Sequence, residues 1–194
     1  ELATDGTTRL TANFRCGPEL ADVLSRVGGW TMSGEGQPGW IHGSGVADEK
    51  VESHVAWMAC ANHWGAKNTA VLCRTNAQAE RIHDTLGVQS ETKDVTVSTI
   101  HAAKGLEWDT VILPGWSEGL FPCQQAIEEE AKGNPDPMQD ERRLAYVALS
   151  RAKRHAVILS PRSVSRGPWE PRGVPAKPSR FFAEMGLDLV GGEG

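Results

Sequence analysis

No stretch of the 194-residue chain approaches the run of ~20 apolar residues that a membrane span requires. The opening segment, ELATDGTTRL, is acidic and polar, without the basic lead and apolar run of a secretory signal. It also lacks a starting methionine, which suits a piece of a longer protein. The four cysteines, Cys16, Cys60, Cys73 and Cys123, are scattered with no C-x-x-C pair, and none of the six histidines falls at ligand spacing with a cysteine pair. A zinc site is therefore not expected. Cys60 and Cys73 sit in apolar settings and read as reduced core thiols of a cytoplasmic protein. Internal repeats are missing as well.

Hydrophobic and charged contents of 39% and 23% suit one globular domain with a full core, or a domain plus tails. A net charge of −5 argues against a surface coated with positive charge, but the balance is uneven. Five Lys/Arg face two acids between Asp140 and His155, and five face Glu170 alone between Ser160 and Arg180. Local basic surface of this kind can bind phosphates on an acidic chain.

Runs rich in Val, Ile and Thr predict strands at 7–14, 69–75, 95–100, 110–116 and 156–160, with a weaker one in QPGWIHGSG. Helical patterns lie between them at 17–27, 47–64, 76–87 and 138–152. Asn76 is expected to cap its helix with Glu80 in the first turn, and Gly87 to end it. Apolar strands alternating with helices predict an α/β fold, a parallel sheet with helices on both faces. SGEGQPG (33–39) and KGNPDP (132–137) read as surface loops, and 161–178, with its prolines and arginines, as an extended linker. PSRFFAEMGL then reads as a short amphipathic helix docking through Phe181, Phe182 and Met185. The boundaries are thus a domain over 1–160, a linker over 161–178 and a closing helix and tail over 179–194.

In open parallel sheets, ligands bind beyond the carboxyl ends of the strands. Three predicted strands run into polar clusters: Arg74-Thr75-Asn76, His101 to Lys104, and Gly115 to Glu118. These are expected to meet along one edge. Asn76 suits a helix cap as well as a ligand contact. Gly105 beside Lys104 allows a tight turn or a close backbone approach, and Lys104 suits a phosphate as a compact charge or simply a turn. Glu107 reads equally as a solvated carboxylate or a hydroxyl acceptor for a sugar. In the 138–152 helix, Leu144, Val147 and Ala148 make an inward stripe with Arg151 at its last turn. An arginine there needs an anion, a core carboxylate or the helix C-terminal dipole. Asp140 to Arg143 read as a solvated charged face. Trp108 and Trp116 are the tryptophans kept as base-stacking candidates.

The order LTANFRC, AVLCRTNAQ, VTVSTIHAAKGLEWDTVILPG, EGLFP and DERRLAYVALSRAKRHAVIL resembles the C-terminal half of UvrD/Rep-type superfamily 1 DNA helicases, from about Arg9 to Leu159. The resemblance implies a second RecA-like domain of the P-loop NTPase type, within an ATP-dependent DNA helicase. NFRC is similar to the motif whose arginine reaches the γ-phosphate, which implies that role for Arg15. RTNAQ resembles a DNA-contacting segment, implying that Arg74 and Asn76 meet single-stranded DNA. TIHAAKGLE resembles the motif between DNA and nucleotide, implying DNA or coupling roles for Thr99, His101 and Lys104, with Gly105 and Glu107 on the nucleotide side, Glu107 at the ribose. RRLAYVALSRA resembles the motif ending in an arginine finger, implying that Arg151 is catalytic together with Arg15.

The chain departs from the family at Phe14 and Cys16, where tyrosine and serine are usual, at Trp108 for phenylalanine and at Ser150 for threonine. About seven residues separate RTNAQAERIHDTLG from VTVSTIHAAKG, where many relatives insert a helical subdomain. G-x-x-x-x-G-K-[ST] and an acidic Mg²⁺-binding strand end are both missing. The implied cofactor is then ATP with Mg²⁺, held mainly by an N-terminal RecA-like partner domain, and this chain by itself is expected to be inactive. The alternative is a catalytically silent module, a helicase half that binds nucleic acid or a protein partner.

Overall fold

A computed structural model describes residues 12–49, 55–56, 68–87, 95–164 and 173–190. The centre is a six-stranded, all-parallel sheet. Its strands are β3 (Trp40–Val46), β4 (Thr69–Cys73), β5 (Thr96–Thr99), β6 (Trp108–Leu113), β7 (Ala152–Pro161) and β10 (Leu189–Val190), in the order β10-β3-β7-β6-β4-β5. β1 (Ala12–Asn13) pairs with β2 (Ser33–Gly34), and β8 (Ser163–Val164) with β9 (Val174–Pro175). The helices are α1 (Pro18–Gly28), α2 (Asn76–Gly87), α3 (Gln124–Ala131), α4 (Asp136–Leu149) and α5 (Phe181–Met185).

Period-two alternation explains why both faces must be covered. Ala70, Leu72, Val111, Leu113, Ala156 and Ile158 point into one core, shared with α1, α4 and α5. Val71, Cys73, Ile112, Val157 and Leu159 point into the other, with Ile82 and Leu86 of α2. The expected α/β architecture is thus the observed one.

Several local expectations change. QPGWIHGSG is no weak strand: β3 runs beside β7 over seven registered pairs. The predicted strand at 7–14 is reduced, within the described residues, to Ala12–Asn13. The 47–64 helix falls largely outside them. Thr75, not Asn76, caps α2, its Oγ1 accepting from the Gln78 N–H at 3.2 Å. Asn76 is already helical, and Glu80 lies beyond the first turn. Within 161–178, the ends form the β8–β9 ribbon, with the Ala176 N–H donating to the Arg162 carbonyl at 2.7 Å. The SGEGQPG loop is also more than surface. Its Glu35 and Gly36 amides donate to the carbonyls of Asn13 and Cys16 at 2.7 and 2.9 Å, which pins the turn carrying Arg15.

Trp108 and Trp116 are core residues. Trp116 is fully buried among Phe121, Phe181 and Phe182, and Trp108 is nearly so. Neither offers a face to a base. α3 had no counterpart in the sequence reading, because QQAIEEEA buries only Ala126 and so carries little apolar period.

Candidate functional site

Parallel strands put all their carboxyl ends on one side, so chain direction decides where each predicted residue falls. Arg74 and Asn76 follow β4 and lie at the carboxyl end. Glu107 immediately precedes β6, and Arg151 immediately precedes β7, so both lie at the amino end. The clusters that follow β4, β5 and β6 start from one carboxyl edge, as expected, whereas Glu107 and Arg151 lie at the opposite end, a strand of six residues or roughly 20 Å away. Residues 100–107 run from the one end to the other. Ile100 and Ala103 anchor this connector in the core, while His101, Lys104 and Leu106 are exposed. Thr99 starts it, its Oγ1 accepting from the Ala102 N–H at 3.3 Å. Gly105 has φ of 88°, the left-handed backbone that makes the turn, with open space around its Cα.

At the amino end, Arg15 Nε lies 2.8 Å from Glu107 Oε2, and Lys153 Nζ lies 3.2 Å from Glu107 Oε1. Arg151 is fastened differently. Its Nε donates to the Val147 carbonyl at 3.1 Å, Nη1 to the Leu106 carbonyl at 3.2 Å and Nη2 to Ser150 Oγ at 3.0 Å. Its charge is spent on no carboxylate among the described residues. Burial, followed by the like charge of Arg15, holds the guanidinium below its ordinary range. Three cations thus gather round one carboxylate, an arrangement that attracts an anion. The sequence stripe was slightly misphased: α4 buries Met138, Glu141, Ala145, Ala148 and Leu149, while Leu144 and Val147 are only partly buried. Arg151 lies just past the helix end.

Beside Arg15, a groove of about 500 Å³ is lined by Asn13, Phe14, Trp30, Met32 and Tyr146. Phe14 is 79% exposed and Trp30 51%, and Trp30 packs on Tyr146 with ring centroids 5.0 Å apart. These exposed rings, rather than Trp108 and Trp116, are available for stacking.

At the carboxyl end, Asn76 is exposed. Arg74 is held within the protein: its Nη2 lies 2.6 Å from Glu141 Oε1, and its guanidinium sits 5.8 Å from the Phe121 ring centre. Glu141 is 6% exposed and also accepts the Cys123 N–H at 3.2 Å. It is no part of a solvated face. Sequence reasoning missed it for want of any signal that its position turns inward, and missed Lys153 because a lysine beside Arg154 looks like ordinary surface.

The order of motifs and this arrangement can be set against known proteins. Residues 87–162 match the family model of the UvrD-like helicase C-terminal domain. A probable DNA helicase II homolog of Rickettsia felis is 38% identical over 130 residues, covering 61% of this chain and 19% of the relative. The ATP-dependent DNA helicase UvrD1 of Mycobacterium tuberculosis H37Rv is 38% identical over 97 residues, covering 50% of this chain and 11% of that protein. The chain therefore spans about a fifth or less of the length of these relatives. In fold, it is similar to the C-terminal domain of a possible DNA helicase from Lactobacillus plantarum WCFS1, with a TM-score of 0.50 at 20% identity, covering 84% of this chain and 94% of that one. The UvrD-like segment contains β5, β6, α3, α4 and β7, and with them Thr99, His101, Lys104, Glu107 and Arg151.

Among the described residues, no group of three or more His, Cys, Asp or Glu converges as a metal site, and no helix is long and apolar enough to cross a membrane. The donor set at the amino end is cationic, which fits a polyphosphate.

Proposed function

We propose that this chain is the second motor domain of an ATP-dependent DNA helicase or translocase, acting with a companion N-terminal RecA-like domain. The observation that carries the reading is Arg151: a guanidinium fixed by two backbone carbonyls beside Arg15, its charge left for an outside anion. The UvrD-like match over the same residues supports it.

In this reading, nucleotide sits between the two domains, against the amino end of β6 and β7. ATP with Mg²⁺ supplies the phosphoryl group, and the companion domain holds most of the metal coordination. Arg151 is pre-oriented, so little side-chain entropy is lost when it meets phosphate oxygens. Arg15 adds a second charge once it leaves Glu107. Together they stabilise charge on the transferring phosphoryl, an effect of ~10³-fold or more in arginine-finger systems. Glu107, released, accepts from the ribose, while Gly105 gives the loop its turn. Phe14 and Trp30 offer flat apolar surface to the base. Single-stranded DNA runs along the opposite end past Asn76, Thr99, His101 and Lys104, with Arg74 nearby. The 100–107 connector, continuous from one end to the other, carries nucleotide state to the strand.

The test is single-strand-stimulated ATP turnover by the complete protein, wild type against Arg151→Ala. Collapse of turnover with nucleotide binding retained is the expected result. Unchanged turnover would make Arg151 structural and favour the silent binding module. The chain alone should not turn over ATP, and robust Mg²⁺-dependent hydrolysis by it would sink that part of the reading.

A further inference from the structure

Lys153 has no role in the scheme above, yet it occupies a defined place in the site. β6 and β7 pair in register at Trp108 and Ala152, and the Trp108 N–H donates to the Arg151 carbonyl at 2.9 Å. Glu107 and Lys153 are the residues just before Trp108 and just after Ala152, so the sheet itself sets their approach. Lys153 also stands two residues past Arg151, the spacing that returns a strand side chain to the same face. Glu107 is shared: Arg15 takes Oε2 at 2.8 Å and Lys153 takes Oε1 at 3.2 Å.

We propose that Lys153 is a positioning residue that keeps Glu107 neutralised while Arg15 moves from that carboxylate to an incoming polyphosphate. The proposal rests on the reading that Arg15 and Arg151 meet nucleotide phosphates. Arg15 Nε cannot serve Glu107 and a phosphate oxygen together. Were Glu107 paired with Arg15 alone, the departure of Arg15 would leave a bare carboxylate facing an anion, and like charges at that range repel. With Lys153 on the second oxygen, Glu107 holds Arg15 less tightly and stays neutralised after it leaves. Both pairs are substantially exposed, with side-chain accessibilities of 50% and 35% for Arg15 and Glu107 and 38% for Lys153. The effect is therefore modest, about threefold in anion affinity.

The experiment uses ¹⁵N-labelled chain at fixed ionic strength, with inorganic tripolyphosphate as probe. Without anion, Lys153→Met should slow solvent exchange of the Arg15 Nε–H, because Glu107 then binds Arg15 alone. In titration, Lys153→Met should weaken tripolyphosphate binding about threefold, and the double variant Glu107→Gln/Lys153→Met should regain at least wild-type affinity. A direct lysine–phosphate contact would instead leave the double variant weaker than Glu107→Gln alone by the same factor that separates Lys153→Met from wild type, which overturns the proposal. Wild-type binding unaffected by Lys153→Met also overturns it. No tripolyphosphate binding by wild type would overturn the proposal, whereas the nucleotide reading is decided separately by Arg151→Ala turnover in the complete protein.

Discussion

Arg15 is held by Glu107 at 2.8 Å, so one of the two arginines proposed to meet a phosphate already has an anion in hand. The pair is half exposed, and such pairs contribute about 0–1 kcal/mol to stability. Arg15→Ala should therefore leave the unfolding free energy from urea titration within ~0.5 kcal/mol of wild type while lowering affinity for tripolyphosphate severalfold. A large loss of stability would mean that Arg15 serves the fold.

Arg74 and Glu141 show the opposite balance. Glu141 is 6% exposed, and its carboxylate satisfies both the Arg74 guanidinium and the Cys123 N–H. Glu141→Ala strands a largely buried cation and an amide, and should destabilise by about 2–3 kcal/mol. Glu141→Gln keeps hydrogen bonding and should cost about 1 kcal/mol. Equilibrium urea unfolding of the two variants distinguishes them. Equal, negligible losses would show that Arg74 finds solvent freely.

A Cβ on Gly36 would lie 2.7 Å from the carbonyl carbon and oxygen of Arg15, where only backbone can give way. Gly36→Ala should shift the Arg15 turn, cost about 1–3 kcal/mol and lower anion affinity although residue 36 carries no charge. Retention of both stability and affinity would show that the loop does not set the position of Arg15.

His155 stacks near Trp40 with ring centroids 4.8 Å apart, and its Nδ1 is buried without a partner. Burial lowers its pKa first, and Arg154 adds to that, while Asp109 opposes it. The neutral imidazole is thus favoured in the folded state. Its stabilising share is complete above the ordinary value of 6.5 and is lost as pH falls from there through the folded value. Urea midpoints measured between pH 8 and 5, on the order of the imidazole range, should fall on acidification in wild type. The fall should be shallower in His155→Phe, and identical slopes would remove His155 as the cause.

The sheet was legible because its strands carry their own signal. TAVLC, WDTVIL and AVILS are nearly continuous apolar runs, as strands buried on both faces must be. β3 was harder, since WIHGSGV mixes Gly, Ser and His, and its place beside β7 is fixed by pairing rather than by composition. Among site residues, Arg151 was recognisable because a charge at the inner end of a helix needs explaining. Strand direction, though, sets Glu107 and Arg151 at the end opposite the polar clusters that follow β4, β5 and β6, and no periodicity expresses that division. Glu141 and Lys153 were missed for the same reason: what matters about them is a partner 67 and 46 positions away in the chain.

α4 carries Glu141 in its first half and delivers the chain to Arg151 just past its last residue. Fourteen residues make a rod of about 21 Å. Pivoted at one end by only ~5°, such a rod carries its far end through roughly 2 Å, enough to break a hydrogen bond. Such a rod is a lever: held where Glu141 grips Arg74, it moves Arg151 most, and held at Arg151, it loads the grip on Arg74 instead.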